Sequence, residues 1–153
     1  MIFDRTQNDV DTAIRLRKEK VRNFQELTEN EIAILEKGML TINTLNRIEE
    51  KQEDLKGILN DMGYWNTPIT NKVWGENDIF NVVDFQRILD NTNVLRQAFF
   101  VYKDTPNTPP ISYYWDDINA LEKILYDLDV MINDVKSNYR ECGSFECGEE
   151  NAK

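Results

Sequence analysis

Few residues in this chain have both the type and the spacing for chemistry. Cys142 and Cys147 stand in Glu-Cys-Gly-Ser-Phe-Glu-Cys-Gly, with four residues between the thiols. Such a pair can contribute to a metal site, but zinc usually takes four ligands. The chain has no histidine and no third cysteine, so a metal site would need a second chain. A disulfide closing this small loop is geometrically allowed, yet a reducing cytoplasm works against it. Unpaired thiols are the favoured reading. Asp127, Asp129 and Asp134 have the composition of a calcium loop. They lack the mid-loop Gly and terminal Glu that such a loop needs, so they read as a solvated acidic face. The carboxylate pairs Glu49–Glu50 and Glu149–Glu150 have no pocket implied around them. Without histidine, Ser-His-Asp and Cys-His catalysis are excluded within one chain. The expectation is a protein that is not an enzyme, with no catalytic, cofactor-binding or metal residue to name and no cofactor.

Two further sets point to contacts. Arg47, Arg87 and Lys123 recur at one place in three similar stretches. They could hold an anion jointly. The favoured reading is structural: a long basic side chain beside an apolar seam covers the core edge and pairs with an acid. The aromatic set Trp65, Trp74, Tyr113, Tyr114 and Trp115 lies in connections between helices. Such residues either cap the end of a bundle, the favoured reading, or form a binding surface.

The elements that would position these residues are helical. Leu45-Asn46-Arg47-Ile48, Phe85-Gln86-Arg87-Ile88 and Leu121-Glu122-Lys123-Ile124 each read large apolar, polar or acidic, basic, isoleucine. The copies start 40 and then 36 residues apart, a period that fits one long helix plus a connection. The first seam runs Leu45, Ile48, Gln52, Leu55, Leu59, Met62, and the second Phe85, Ile88, Thr92, Leu95, Phe99, Tyr102. Both step 3-4-3-4-3, with a polar break at Gln52 and, in the equivalent place, Thr92. The third stripe, from Ile118 to Tyr139, is the widest, which predicts a central helix. Thr6, Thr28, Thr41 or Asn43, Asn81 and Asp116 are candidate starts. Gly38 and Gly63 are candidate stops, because glycine accepts the left-handed conformation.

The spacing therefore predicts an all-α fold, an up-down helical bundle of three long helices over about 43–62, 82–102 and 116–139, with two shorter N-terminal helices. Residues 1–40 form an N-terminal segment packed on the bundle, 41–140 the bundle, and 141–153 a polar tail or short hairpin. The connection 64–78 is rich in aromatics, so Trp65 and Trp74 should pack on the bundle. Residues 105–110, with three prolines, should be rigid and extended.

Composition bounds the partners. No apolar run approaches the roughly 18 residues of a membrane span, and Met1 to Arg17 lack the apolar block of a signal peptide. The net charge is −10, which disfavours phosphate backbones and anionic lipid. The charge is uneven: residues 1–27 hold six basic and five acidic residues, and the remainder 12 and 23. The basic cluster Arg15 to Arg22 reads as a solvated helix face, or as a surface that lies on acidic groups of the same chain or a neighbour.

Two stretches carry a resemblance. Asp4-Arg5-Thr6-Gln7-Asn8-Asp9-Val10-Asp11 resembles the "DRTQADVD" opening of a module common in prophages of low-GC Gram-positive bacteria. Leu40 to Glu49, ending Leu45-Asn46-Arg47-Ile48-Glu49, resembles the start of its long "LNRIE" helix. Trp74 to Ile79, Phe85 to Leu95, Thr105-Pro106 and Ile118 to Asn133 resemble its middle and end. The chain departs by holding Thr44 where Asp is frequent and cysteine where Ser is frequent near the end. The resemblance implies a small non-enzymatic phage or prophage structural or adaptor protein, associated with the tail, fibre or baseplate. Its partners would be other virion proteins, including further copies in a homo-oligomer, with no nucleic acid and no membrane. It would reside in the virion, and in the bacterial cytoplasm during assembly. The rival expectation is an acidic regulatory binding protein, an anti-repressor or DNA-mimic inhibitor, which would need carboxylates in regular rows on one face.

Overall fold

The computed structural model describes residues 1–23, 25–64, 68–111 and 114–142, with side chains to residue 138. Among the described residues the fold is all-helical, with no strand. The helices are α1 (Gln7–Asn23), α2 (Glu29–Gly38), α3 (Ile42–Asp61), α4 (Val82–Ala98) and α5 (Trp115–Cys142).

Local sequence sets most of the boundaries. Thr6 and Asp9 exchange hydrogen bonds at the head of α1. Thr28 with Glu31, and Asn81 with Asp84, form reciprocal capping boxes at α2 and α4, and Thr41 caps α3. Each cap satisfies amide N–H groups that the first helical turn leaves without partners. Gly63 follows α3 with a φ of 89°. Three expectations need correction. Gly38 does not adopt the left-handed conformation; it is the last residue of α2, and Met39 caps the helix in an extended conformation. Asp116 lies inside the first turn of α5, which begins at Trp115. The second long helix stops at Ala98, so Phe99 and Tyr102 belong to the connection rather than to the seam.

The larger correction concerns direction. Glu49 on α3 is bonded by Arg87 on α4. Three residues further on, Gln52 bonds Ile88, Asn91 and Thr92. Partner numbers rise together, so α3 and α4 run parallel. The same holds for α3 and α5, where Arg47 meets Glu122 and Lys51 meets Asp129. Each long helix packs on the other two. The fold is thus a parallel three-helix bundle, not an up-down one, and α5 is not central to it.

A parallel arrangement obliges the chain to return after each helix, and the connections do so as extended segments lying in the grooves. Tyr64 packs on Phe99 at the carboxyl end of α4. Thr70 then bonds Asn91, Asn71 reaches Glu49, and Trp74 reaches Asn46 near the start of α3. The second return has Tyr102 on Asp134, Thr105 on Asp127 and Thr108 on Asn93. Residues 1–6 fill the third groove: Arg5 and Phe3 contact Asn119 and Tyr126 of α5, and Met1 lies beside Arg47 and Lys51 of α3.

The core is one cluster of seam residues. It includes Leu45, Ile48, Leu55 and Leu59 of α3, Phe85, Ile88, Leu89 and Leu95 of α4, and Ile118, Leu121, Ile124, Leu125, Leu128 and Ile132 of α5. Trp74 and Ile69 join it from the first return. The wide stripe of α5 is explained by the extended segments it also covers. Outside the bundle, α1 and α2 pack chiefly on each other, with the Gly38 backbone pressed against Asp9 and Ala13. Among the described residues no helix is long and apolar enough to cross a membrane.

Candidate functional site

The most concentrated polar chemistry lies inside the bundle, at Glu122 and Glu49. Glu122 is 0% exposed. Its Oε1 accepts from Arg47 Nη2 at 2.8 Å and from Arg5 Nη2 at 3.3 Å. Its Oε2 accepts from the Ile2 amide and from Arg5 Nη1. Asn119, one turn earlier on α5, accepts from the Arg5 amide and donates to the Arg5 carbonyl. One carboxylate therefore ties the amino-terminal segment, α3 and α5 together. Arg47 commits only Nη2 to it, and its Nε is buried without a hydrogen-bond partner among the described residues.

Glu49, 2% exposed, has the same role in the neighbouring groove. Its Oε1 accepts from Trp74 Nε1 at 2.8 Å and Arg87 Nη2 at 2.5 Å. Its Oε2 accepts from the Lys72 amide and Arg87 Nη1, both at 2.7 Å. The fork-on-fork contact is the geometry in which Arg binds a carboxylate most strongly, and it raises the Arg87 pKa above its ordinary value. The groove of the second return has a weaker counterpart. Asp127 accepts from Thr105 Oγ1 at 2.8 Å and from Lys123 of its own helix.

Glu49 and Glu122 each accept four donor contacts, which fills the lone-pair sites of a carboxylate. Neither leaves an open acceptor facing a cavity, so the arrangement suits fastening rather than proton transfer. The deeper polar layer behaves likewise: Gln52, Thr92 and Asn91 satisfy one another and the Ile88 and Thr70 carbonyls.

The structure separates the residues singled out in the sequence. Arg47, Arg87 and Lys123 each pair with a different acid, Glu122, Glu49 and Asp127, so they do not converge on one anion site. Of the three aspartates read as a solvated face, Asp127 is buried and holds Thr105 and Lys123, Asp129 is half-buried and holds Lys51, and only Asp134, which accepts from Tyr102, is exposed. The Asp134 carboxylate pushes the Tyr102 phenol up from its usual range. Trp74 is buried, Tyr114 is exposed, and Trp115 Nε1 donates to Gln7 at 3.2 Å. Trp65, Tyr113, Cys147, Glu149 and Glu150 lie outside the described residues, and Cys142 closes α5. Glu50 is exposed, whereas Glu49 is buried, and sequence reasoning passed over that difference. The available signal was Glu49 one residue past the seam position Ile48, together with a tryptophan whose indole N–H needs an acceptor on burial.

Asp4 to Asp11 and Leu40 to Glu49 are both built into these ties. Arg5 of the first and Arg47 of the second meet on Glu122. Thr6 and Asp9 cap α1, Asn46 clasps the Trp74 backbone, and Glu49 holds Arg87. Among the described residues no group of three or more His, Cys, Asp or Glu is arranged to hold a metal ion. No protein-family profile, no curated protein and no solved structure matches this chain.

Proposed function

We propose that this chain is a non-enzymatic structural or adaptor protein of a phage or prophage particle, associated with the tail, fibre or baseplate and acting through protein–protein contacts. One observation carries the reading. Key side chains of both prophage-like stretches serve architecture: Arg5 and Arg47 have the buried partner Glu122, Glu49 has the buried Trp74, and Leu45 and Ile48 lie in the core. A stretch used for fastening and capping fits a part whose task is to keep its shape. The surface supports contact as the mode of action, since Val73, Ile79, Val82 and Val83, on the first return and the head of α4, stand exposed, and exposed apolar patches mark interaction sites.

The test is mass spectrometry of density-purified particles induced from a lysogen that carries the gene. Peptides of this chain at stoichiometry comparable with known tail components are expected. Their absence from particles, with the protein abundant in the lysate, would overturn the virion reading in favour of the regulatory one. The regulatory reading predicts capture of a DNA-binding protein instead.

A further inference from the structure

Among the described residues, nine of the sixteen cations contact a carboxylate. Arg5, Lys20, Lys37, Arg47, Lys51, Lys56, Lys72, Arg87 and Lys123 are those nine; of the seven others, four cluster on α1, while Arg96, Lys103 and Lys136 are scattered. Of the five cations between Arg15 and Arg22, only Lys20 has an acid partner, Glu31 of α2. Arg15, Arg17, Lys18 and Arg22 are exposed and have none among the described residues. Apolar side chains stand between them: Val21 is 67% exposed, and Ile14 lines the same groove as Arg17, Lys18 and Arg22. A solvated helix face has little reason to expose valine and isoleucine among cations that an acidic molecule leaves unpaired.

A surface of opposite character lies on the first return and the head of α4. Val73, Ile79 and Val83 are 87%, 83% and 77% exposed. Glu76, Asp78 and Asp84 are interleaved with them, and no basic residue occurs from 73 to 86. Asp78 is engaged by the Gly75 amide and Lys72, which hold its pKa below the ordinary carboxylate value, and Asp84 caps α4. Glu76 has no partner among the described residues. Neither surface covers the other within one chain, because both remain exposed.

We propose that the exposed face of α1 docks on the 73–84 surface of a second copy of this chain. Valine and isoleucine meet valine and isoleucine, and unpaired guanidinium and ammonium groups meet carboxylates. Opposite charges in register steer association and fix its orientation. The contact joins two different patches, so it closes as a two-fold pair that exchanges both, or continues into a ring. This deepens the proposed contact function but does not depend on the particle, because it is tested on the purified chain. The net charge of −10 acts against any pair of copies, but at about 0.15 M salt the screening length is about 8 Å. The whole-molecule repulsion is then largely screened while contacts of a few ångströms persist.

The experiment is sedimentation equilibrium of the full chain at 0.15 and 1 M NaCl, with two charge-reversal variants, Arg17→Glu/Arg22→Glu and Glu76→Lys/Asn77→Lys. All four positions are exposed, and circular dichroism checks that each variant folds. The wild type should associate at 0.15 M and weaken at least tenfold at 1 M. Each variant alone should be monomeric, and an equimolar mixture of the two should associate again. A wild type that is monomeric at both salts overturns the proposal. So does association that neither variant disturbs, which would place the contact elsewhere. Binding of the wild type to a duplex oligonucleotide or to phosphatidylserine vesicles, lost in Arg17→Glu/Arg22→Glu, would assign the cations to a polyanion and also overturn it.

Discussion

Gln52 Nε2 donates to Thr92 Oγ1 at 2.8 Å across the centre of the bundle. The two are the polar breaks of successive seams, 40 residues apart, and both are fully buried. Their pairing means that successive helices present the same level of the repeat to each other, as parallel helices do. Gln52→Leu should nonetheless be mild. Thr92 still donates to the Ile88 carbonyl, and Asn91 still donates to Thr70 and Asn71, so no donor is stranded. The amide's three bonds are lost, each worth about 0.5–1.5 kcal/mol net. The volume is kept and the buried apolar leucine offsets part of this, so the cost should stay at about 2 kcal/mol. Urea melts check this, and a loss above about 3 kcal/mol would mean that the amide alone sets the register.

Glu122→Gln should be severe. It removes the charge that balances Arg5, which is 4% exposed, and Arg47. Breaking a buried pair from one side costs about 3–5 kcal/mol. Equilibrium unfolding of the variant measures it. Hydrogen exchange should show residues 1–6 released first, because the Ile2 amide and both Arg5 contacts converge on this carboxylate.

Gly38→Ala should pry α1 from α2. An added Cβ would lie 2.3 Å from the Asp9 carbonyl oxygen and 2.5 Å from the Ala13 Cβ. Both are firm parts of α1, so the helices must separate, at about 1–3 kcal/mol for such overpacking. Amide exchange should accelerate in α1 and α2 and stay slow in α3 to α5. Unchanged protection in α1 would contradict the close approach.

Glu31 gives the α1–α2 pair a pH signature. Its carboxylate accepts from Lys20 and from the Thr28 amide and hydroxyl, which lower its pKa from 4.5 to about 2. A depressed acid contributes stability above its unfolded value and loses it as pH falls through its folded value. The Lys20–Glu31 tie should therefore hold above about pH 4.5 and fade toward pH 2. Asp9, lowered chiefly by its bonds from Thr6, moves in the same direction. NMR titration of the Glu31 side chain should give a midpoint near 2, and a midpoint near 4.5 would deny the tie in solution.

The chain's legibility divides along physical lines. The starts at Thr6, Thr28, Thr41 and Asn81 and the stop at Gly63 depend on bonds within a few residues, so local sequence reveals them. Seam positions such as Leu121, Leu125, Leu128 and Ile132 follow from periodicity, and all four are buried. Helix direction is a global property, and the up-down expectation missed it. The signal was connection length. Antiparallel helices need short turns, whereas residues 62–81 and 99–114 join these helices. Extended chain of roughly 16 residues reaches about 50 Å, ample to return along a helix of about 25–30 Å. The burial of Glu49 and Glu122 was hidden for the same reason: both acids acquire their partners only when a distant segment enters the groove.

The shared direction of the three long helices also has a cost in time. An up-down bundle can zip outward from its turns, because neighbouring helices touch near each loop. Here the ties between long helices span 38, 40 and 75 residues of chain. No pair of long helices can dock until an extended return has been laid between them, and closing each such loop comes before the contacts that repay it. Folding should therefore be slower than in an up-down helical bundle of equal size. The late step should be the seating of residues 1–6 against Glu122, the contact with the longest loop to close.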